Sequence, residues 1–119
     1  MSKMKIYHNP KCSNSRNALA LMRELGHDPE VILYLEQMPS RDALQALILA
    51  SGESVRTLMR SKESIYTELG LDNPALSNAA LIDAMLAHPV LMNRPIVVTP
   101  LGTRLCRPPE RVLEILPKA

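Results

Sequence analysis

The chain has 119 residues, 46% of them apolar, which suits one compact domain burying about two-thirds of its unfolded surface. Phe and Trp are absent and only three Tyr occur, so the core must be aliphatic. A formal charge of +2 is too mild to argue for a nucleic-acid footprint, base-stacking aromatics are nearly missing, and no apolar run approaches the ~20 residues of a bilayer span. The basic residues are skewed, with nine Arg against five Lys. Arg offers a planar fork of donors suited to carboxylate, phosphate and related oxyanions, so a small anionic substrate is a better inference than a polyanion. The two cysteines, Cys12 and Cys106, make no disulfide framework, and the start MSKMKIYHNP carries no signal-peptide apolar region. A reducing cytoplasm is the expected setting.

The first predicted strand is Met4-Lys5-Ile6-Tyr7, broken by Asn9-Pro10. A helix opens near Ser13; Ala18, Leu21, Met22 and Leu25 follow its period and Gly26 stops it. The run Val31-Ile32-Leu33-Tyr34 reads as a buried second strand parallel to the first, completing a strand–helix–strand unit. Ser40 then caps a helix with Leu44, Leu47 and Ile48 inward, ending near Gly52. From 53 to 89 the sequence looks wholly helical: one piece over 54–60, one over 62–69 halted by Gly70, and one capped by Ser77 with Leu81, Ile82, Met85 and Leu86 inward. Residues 96–99 and 103–107 form a hairpin around Pro100-Leu101-Gly102. Pro108-Pro109 opens a final helix that carries Val112, Leu113 and Leu116. The order is βαβ, a helical insert, then ββα. This is an α/β, thioredoxin-like layout: a mixed four-stranded sheet flanked by helices, a single domain over 1–119 with an insert at about 53–89.

Cys12 sits where the first strand gives way to the first helix. A helix N-terminus presents unpaired N–H groups and the positive end of the helix dipole, and both favour the nucleophilic thiolate. A buried cysteine is also a common small hydrophobe, but the neighbours Lys11, Ser13, Asn14 and Ser15 are all polar. Cys12-Ser13-Asn14-Ser15 has dithiol-motif spacing with Ser15 where the second sulfur would be, so a redox cycle through Cys12 must borrow a thiol from elsewhere. His8, four residues earlier, is close enough to raise thiolate content by charge or hydrogen bonding. Cys106 falls in the last strand and reads as structural. Arg94 and Arg107 each precede a proline and are therefore held on defined backbone, Arg60 ends the 54–60 segment, and Pro95 stands where this fold often places a cis-proline facing its cysteine. Arg16, Arg23, Arg41, Arg56, Arg104 and Arg111 read as surface residues. Phosphate-loop, dinucleotide and zinc spacings are absent, and Ala18 replaces the arginine of a Cys-x5-Arg phosphatase loop.

The stretches Ile6-Tyr7-His8-Asn9-Pro10-Lys11-Cys12-Ser13-Asn14-Ser15-Arg16, Ile32-Leu33-Tyr34-Leu35-Glu36, Val55-Arg56-Thr57-Leu58-Met59-Arg60 and the long run from Asn93-Arg94-Pro95 to Cys106-Arg107-Pro108 resemble the glutaredoxin-coupled arsenate reductases. That resemblance implies a thioredoxin-like fold, a catalytic cysteine at Cys12 supported by His8, and substrate binding by Arg60, Arg94 and Arg107. It implies arsenate as substrate, glutathione as co-substrate and glutaredoxin as partner, with no tightly bound cofactor, no metal, no nucleic acid and no membrane. Two competing readings are a glutathione-dependent thiol–disulfide exchanger, which needs Cys12 but not three arginines, and a thioredoxin-like redox regulator of RNA polymerase, against which Ser15 argues.

Overall fold

The computed structural model describes residues 4–117, which fall into two compact units: 4–37 with 94–117, and 38–93. The first unit holds strands β1 (Lys5–His8), β2 (Glu30–Leu33), β3 (Ile96–Thr99) and β4 (Gly102–Leu105), helix α1 (Ser13–Glu24) and a terminal 3-10 helix (Pro109–Ile115). Its sheet runs β2-β1-β3-β4. β1 lies parallel to β2 and antiparallel to β3, which pairs antiparallel with β4. A parallel pair needs a crossover, and α1 supplies it. The α1 turn closes on Gly26 at φ +87, whose N–H donates to the Arg23 carbonyl while the His27 N–H donates to that of Met22, a left-handed stop that favours glycine.

α1 turns inward Ser15, Ala18, Leu19 and Met22, not the face through Leu25, which is 49% exposed. The spacing is the same but the stripe begins at a polar residue, so an apolar count along the helix starts one step out of phase. β2 is an edge strand and only partly buried, whereas a buried strand was expected; Tyr34, just past its end, is the residue that goes fully inside.

The last segment corrects the expected α-helix. It winds as a 3-10 helix, and its buried residues Pro109, Val112 and Ile115 recur every third position. Leu113, expected inside, is 48% exposed, and Ile115 takes its place. Leu116, beyond the helix, is buried with Val112 and Ile115 against Ile6, Ala18, Leu19, Met22, Val97 and Cys106. The Thr99 hydroxyl donates to the Ile115 carbonyl at 2.5 Å and accepts from the Leu101 N–H at 3.1 Å, tying the hairpin turn to the end of this helix.

The second unit carries α2 (Arg41–Ser51), α3 (Ser64–Glu68), α4 (Asn78–Ala87) and a 3-10 turn (Pro89–Leu91). Ser40 and Ser77 cap α2 and α4 by accepting from the N–H groups three residues on. Residues 54–60 do not form the expected helix. The Ser54 hydroxyl captures the Thr57 N–H, Met59 bridges Met92, and the Arg60 and Asn93 N–H groups donate to the Leu91 and Leu58 carbonyls, so strand-like pairing claims the backbone. The expected helix over 62–69 shortens to α3. Arg56 is a half-buried tie rather than a surface residue, donating to the Tyr66 hydroxyl and to the Leu71 and Asn73 carbonyls. Arg41 pairs with Asp83. Among the described residues, no helix is long and apolar enough to cross a membrane.

The three-residue period of the terminal helix makes a direct prediction. Ile115→Ala should cost about 2–5 kcal/mol, and the neighbouring Leu113→Ala less than about 0.5 kcal/mol. Urea denaturation of the two variants measures the difference, and equal losses would contradict the 3-10 phase.

Candidate active site

β1 ends at His8, and three residues, Asn9, Pro10 and Lys11, carry the chain to Cys12, the N-cap of α1. Cys12 has extended backbone (φ −96, ψ 122); its carbonyl accepts the Arg16 N–H at 3.0 Å, and its own N–H donates to the Asn9 carbonyl at 3.0 Å. The loop is fastened twice more, by the Lys11 N–H to Asn9 Oδ1 at 3.0 Å and by Arg16 Nη1 to the Pro10 carbonyl at 2.8 Å. The sulfur is thus set on a short, internally bonded turn at the positive end of a helix.

Cys12 is 8% exposed. Burial alone would push its thiol up. The Ser15 N–H, the Arg94 guanidinium, the Asn14 N–H and the Arg107 guanidinium act the other way, and the balance lowers the pKa below the ordinary thiol value. The two N–H groups act as helix-terminus dipoles, since the side chain makes no geometric capping hydrogen bond. Arg107 Nη1 stands 4.0 Å from Cys12 Sγ and donates to the Arg94 carbonyl at 3.0 Å, so one guanidinium joins the sulfur to the residue before β3. The Arg94–Pro95 and Arg107–Pro108 bonds are both cis.

Ser15, fully buried, fills the place of the second sulfur. Its Oγ accepts the Asn9 N–H at 3.0 Å and pairs with His8 Nδ1 at 2.5 Å. His8 is itself buried, and burial, with Arg23 and Arg16 nearby, lowers its pKa, so the imidazole is neutral near pH 7. The charge route by which a histidine could favour the thiolate is therefore closed. What His8 does is fix Ser15, whose N–H faces the sulfur.

Two of the arginines expected at the site, Arg94 and Arg107, are thus brought to Cys12. Arg60 belongs to the other unit, where its guanidinium pairs with Glu63 at 2.9 Å. Cys106 is fully buried in the core of the first unit, unbonded to Cys12, with its thiol pushed up to about 12 by burial. Sequence reasoning noted Ser15 only as a missing thiol. Its buried role was signalled by the 15, 18, 19, 22 spacing, which places it on the inward face of α1.

The contrast between the two sulfurs is testable by alkylation. Iodoacetamide at pH 7 should modify Cys12 and spare Cys106 in the folded protein, because the Cys12 thiol is lowered below its ordinary value while burial pushes Cys106 up to about 12. Ser15→Ala should slow Cys12 modification by releasing His8 and the loop, and peptide mass mapping reads both. Equal labelling of the two cysteines would contradict the assignment.

With this geometry in hand, comparison with known proteins is informative. The model of the ArsC family matches residues 7–115. An arsenate reductase of Acidiphilium multivorum is 58% identical over the whole chain, which covers 84% of that protein. An uncharacterized Escherichia coli protein, YfgD, is 52% identical over 95% of this chain and 96% of its own length. The solved structure of an arsenate reductase from Vibrio cholerae superposes with a TM-score of 0.92 at 51% identity, covering 96% of this chain and 98% of the other. A cysteine at a helix N-cap with a lowered pKa, two arginines beside it and this degree of likeness lead to one conclusion: the chain belongs to the ArsC family.

Proposed function

We propose that this protein reduces arsenate to arsenite, with glutathione and glutaredoxin supplying the electrons. The observation that carries the reading is the Cys12 sulfur, set at the N-cap of α1 with its pKa lowered below the ordinary thiol value and the Arg107 guanidinium 4.0 Å away. Arsenate is a tetrahedral oxyanion. Arginine forks bind its oxygens in pairs, and the helix N-terminus adds unpaired N–H donors.

In this mechanism the Cys12 thiolate attacks arsenic. A sulfur–arsenic bond forms and an arsenate oxygen leaves as water after protonation. The guanidiniums of Arg94 and Arg107 stabilise the charge gathered on the remaining oxygens. Ser15 cannot supply a second sulfur, so an external thiol must complete the reduction. Glutathione condenses with the arsenic of the adduct, again with loss of water. The glutaredoxin thiolate attacks the glutathione sulfur, forming the glutathione–glutaredoxin disulfide while the sulfur–arsenic electron pair reduces arsenic. One water then cleaves the Cys12–arsenic bond, so arsenite departs and Cys12 returns as thiol. The net change is arsenate plus two thiols giving arsenite, one disulfide and water, so the two electrons that arsenic gains are those the two sulfurs lose. His8 acts as a positioning residue through Ser15. The part given to Arg60 rests on the family resemblance.

A coupled assay of NADPH consumption with glutathione, glutaredoxin and arsenate tests this reading. Cys12→Ser should abolish the arsenate-dependent signal, while Cys106→Ser should keep most of it. Equal loss in both would point to an intramolecular disulfide route instead. Arg94→Lys and Arg107→Lys should each raise the KM for arsenate by about tenfold or more, because a point charge does not replace a fork. Arg60→Lys should follow if that residue shares the anion. A protein that reduces glutathione mixed disulfides at full rate in the Arg94 and Arg107 variants but never consumes NADPH with arsenate would be a thiol–disulfide exchanger.

A further inference from the structure

The mechanism requires a thiol co-substrate, and beside the cysteine loop lies a cleft the chemistry above does not use. It has a volume of about 500 Å³ and runs between the His8–Pro10 end of β1 and the Arg16, Leu19 and Arg23 stripe of α1, with Glu24 in its wall. That volume is in the range of small-molecule sites. Residues 16, 19 and 23 share one helix face, and the Arg16 N–H that begins it donates to the carbonyl of Cys12, the N-cap one turn earlier.

The charges in this cleft are specific. Arg16 and Arg23 supply two guanidiniums and Glu24 one carboxylate, and His8 is neutral. Arg16 commits one nitrogen to the Pro10 carbonyl. The Arg23 guanidinium forms no hydrogen bond or ion pair among the described residues, although it lies near enough to His8 to lower its pKa. Two cationic forks and one anion complement a ligand with two carboxylates and one ammonium. Glutathione is such a ligand. Arg16 and Arg23 are seven residues apart, about 10 Å along the helix, and an extended tripeptide spans about the same distance.

We infer that this cleft is the binding site for glutathione, its carboxylates held by Arg16 and Arg23 and its ammonium by Glu24, with the ligand lying along the 16, 19, 23 face of α1. The inference rests on the glutathione-dependent reading above. Bound there, the tripeptide waits one helical turn from the cysteine on which the arsenic adduct forms, and the second condensation becomes a local event rather than a collision.

Steady-state kinetics and a binding titration test it together. In the coupled assay, Arg23→Gln should raise the KM for glutathione about tenfold and leave the KM for arsenate unchanged. With 2-mercaptoethanol, an uncharged thiol, as reductant the same variant should match the parent protein. Titrating the parent protein with S-methylglutathione, which cannot react, should shift backbone amide NMR signals within 16–24. An unchanged glutathione KM in Arg23→Gln, or no shifts in 16–24, would overturn the cleft assignment while leaving arsenate reduction intact. If the parent protein gives no turnover with glutathione, the functional reading falls, and the titration still decides what the cleft binds.

Discussion

The structure depends on holding the pKa of one sulfur below the ordinary thiol value while most of it is shielded from water. Burial of Cys12 opposes ionisation, and an unassisted thiol at this depth would be an inert hydrophobe, as Cys106 is. The opposing contribution comes from four groups in three places: the N–H groups of Asn14 and Ser15 in the first turn of α1, Arg94 ahead of β3, and Arg107 after β4. No single element could supply them. The two cysteines differ because Cys106 is fully buried, so that desolvation outweighs the nearby Arg111 and Arg104, whereas at Cys12 two N–H groups and two guanidiniums outweigh a shallower burial.

The rest of the first unit can be understood as what brings those groups together. The β1-β3-β4 pairing carries the segments before β3 and after β4 to the end of β1, where Cys12 emerges. Arg107 then closes the link by donating to the Arg94 carbonyl. The Asn9, Arg16 and Ser15 bonds hold the cysteine loop from beneath, and His8 braces Ser15. A preorganised loop matters for chemistry of this kind, since donors already in position cost no reorganisation when charge develops on an oxyanion.

Much of this was legible in the residues. Cys12 between a strand and a helix, with Asn9-Pro10 punctuating the join, reads as a helix N-cap without any structure. Ser40 and Ser77 announced the helices they cap, and the β-branched run Ile96-Val97-Val98-Thr99 marked the third strand. The failures have physical causes. At 109–116 an α-helical period was imposed on a segment that winds with three residues per turn, so Leu113 was put where Ile115 belongs. At 54–60 local propensity lost to pairing with 91–93, which is invisible in a linear reading. Ser15 was harder still. A serine is not an apolar marker, and its burial is explained only by His8 and Asn9, partners that the fold brings to it. For the same reason sequence could suggest that His8 helps the thiolate but not that it does so uncharged.

The most direct test of this account is the ionisation of the Cys12 sulfur itself, followed by the far-ultraviolet absorbance of the thiolate as pH is raised in a Cys106→Ser background. A single transition clearly below the ordinary thiol value of about 8.5, moving upward when Arg107 is replaced by Gln, is the predicted result. A sulfur that ionises at or above that value, or whose transition ignores the loss of Arg107, would contradict it.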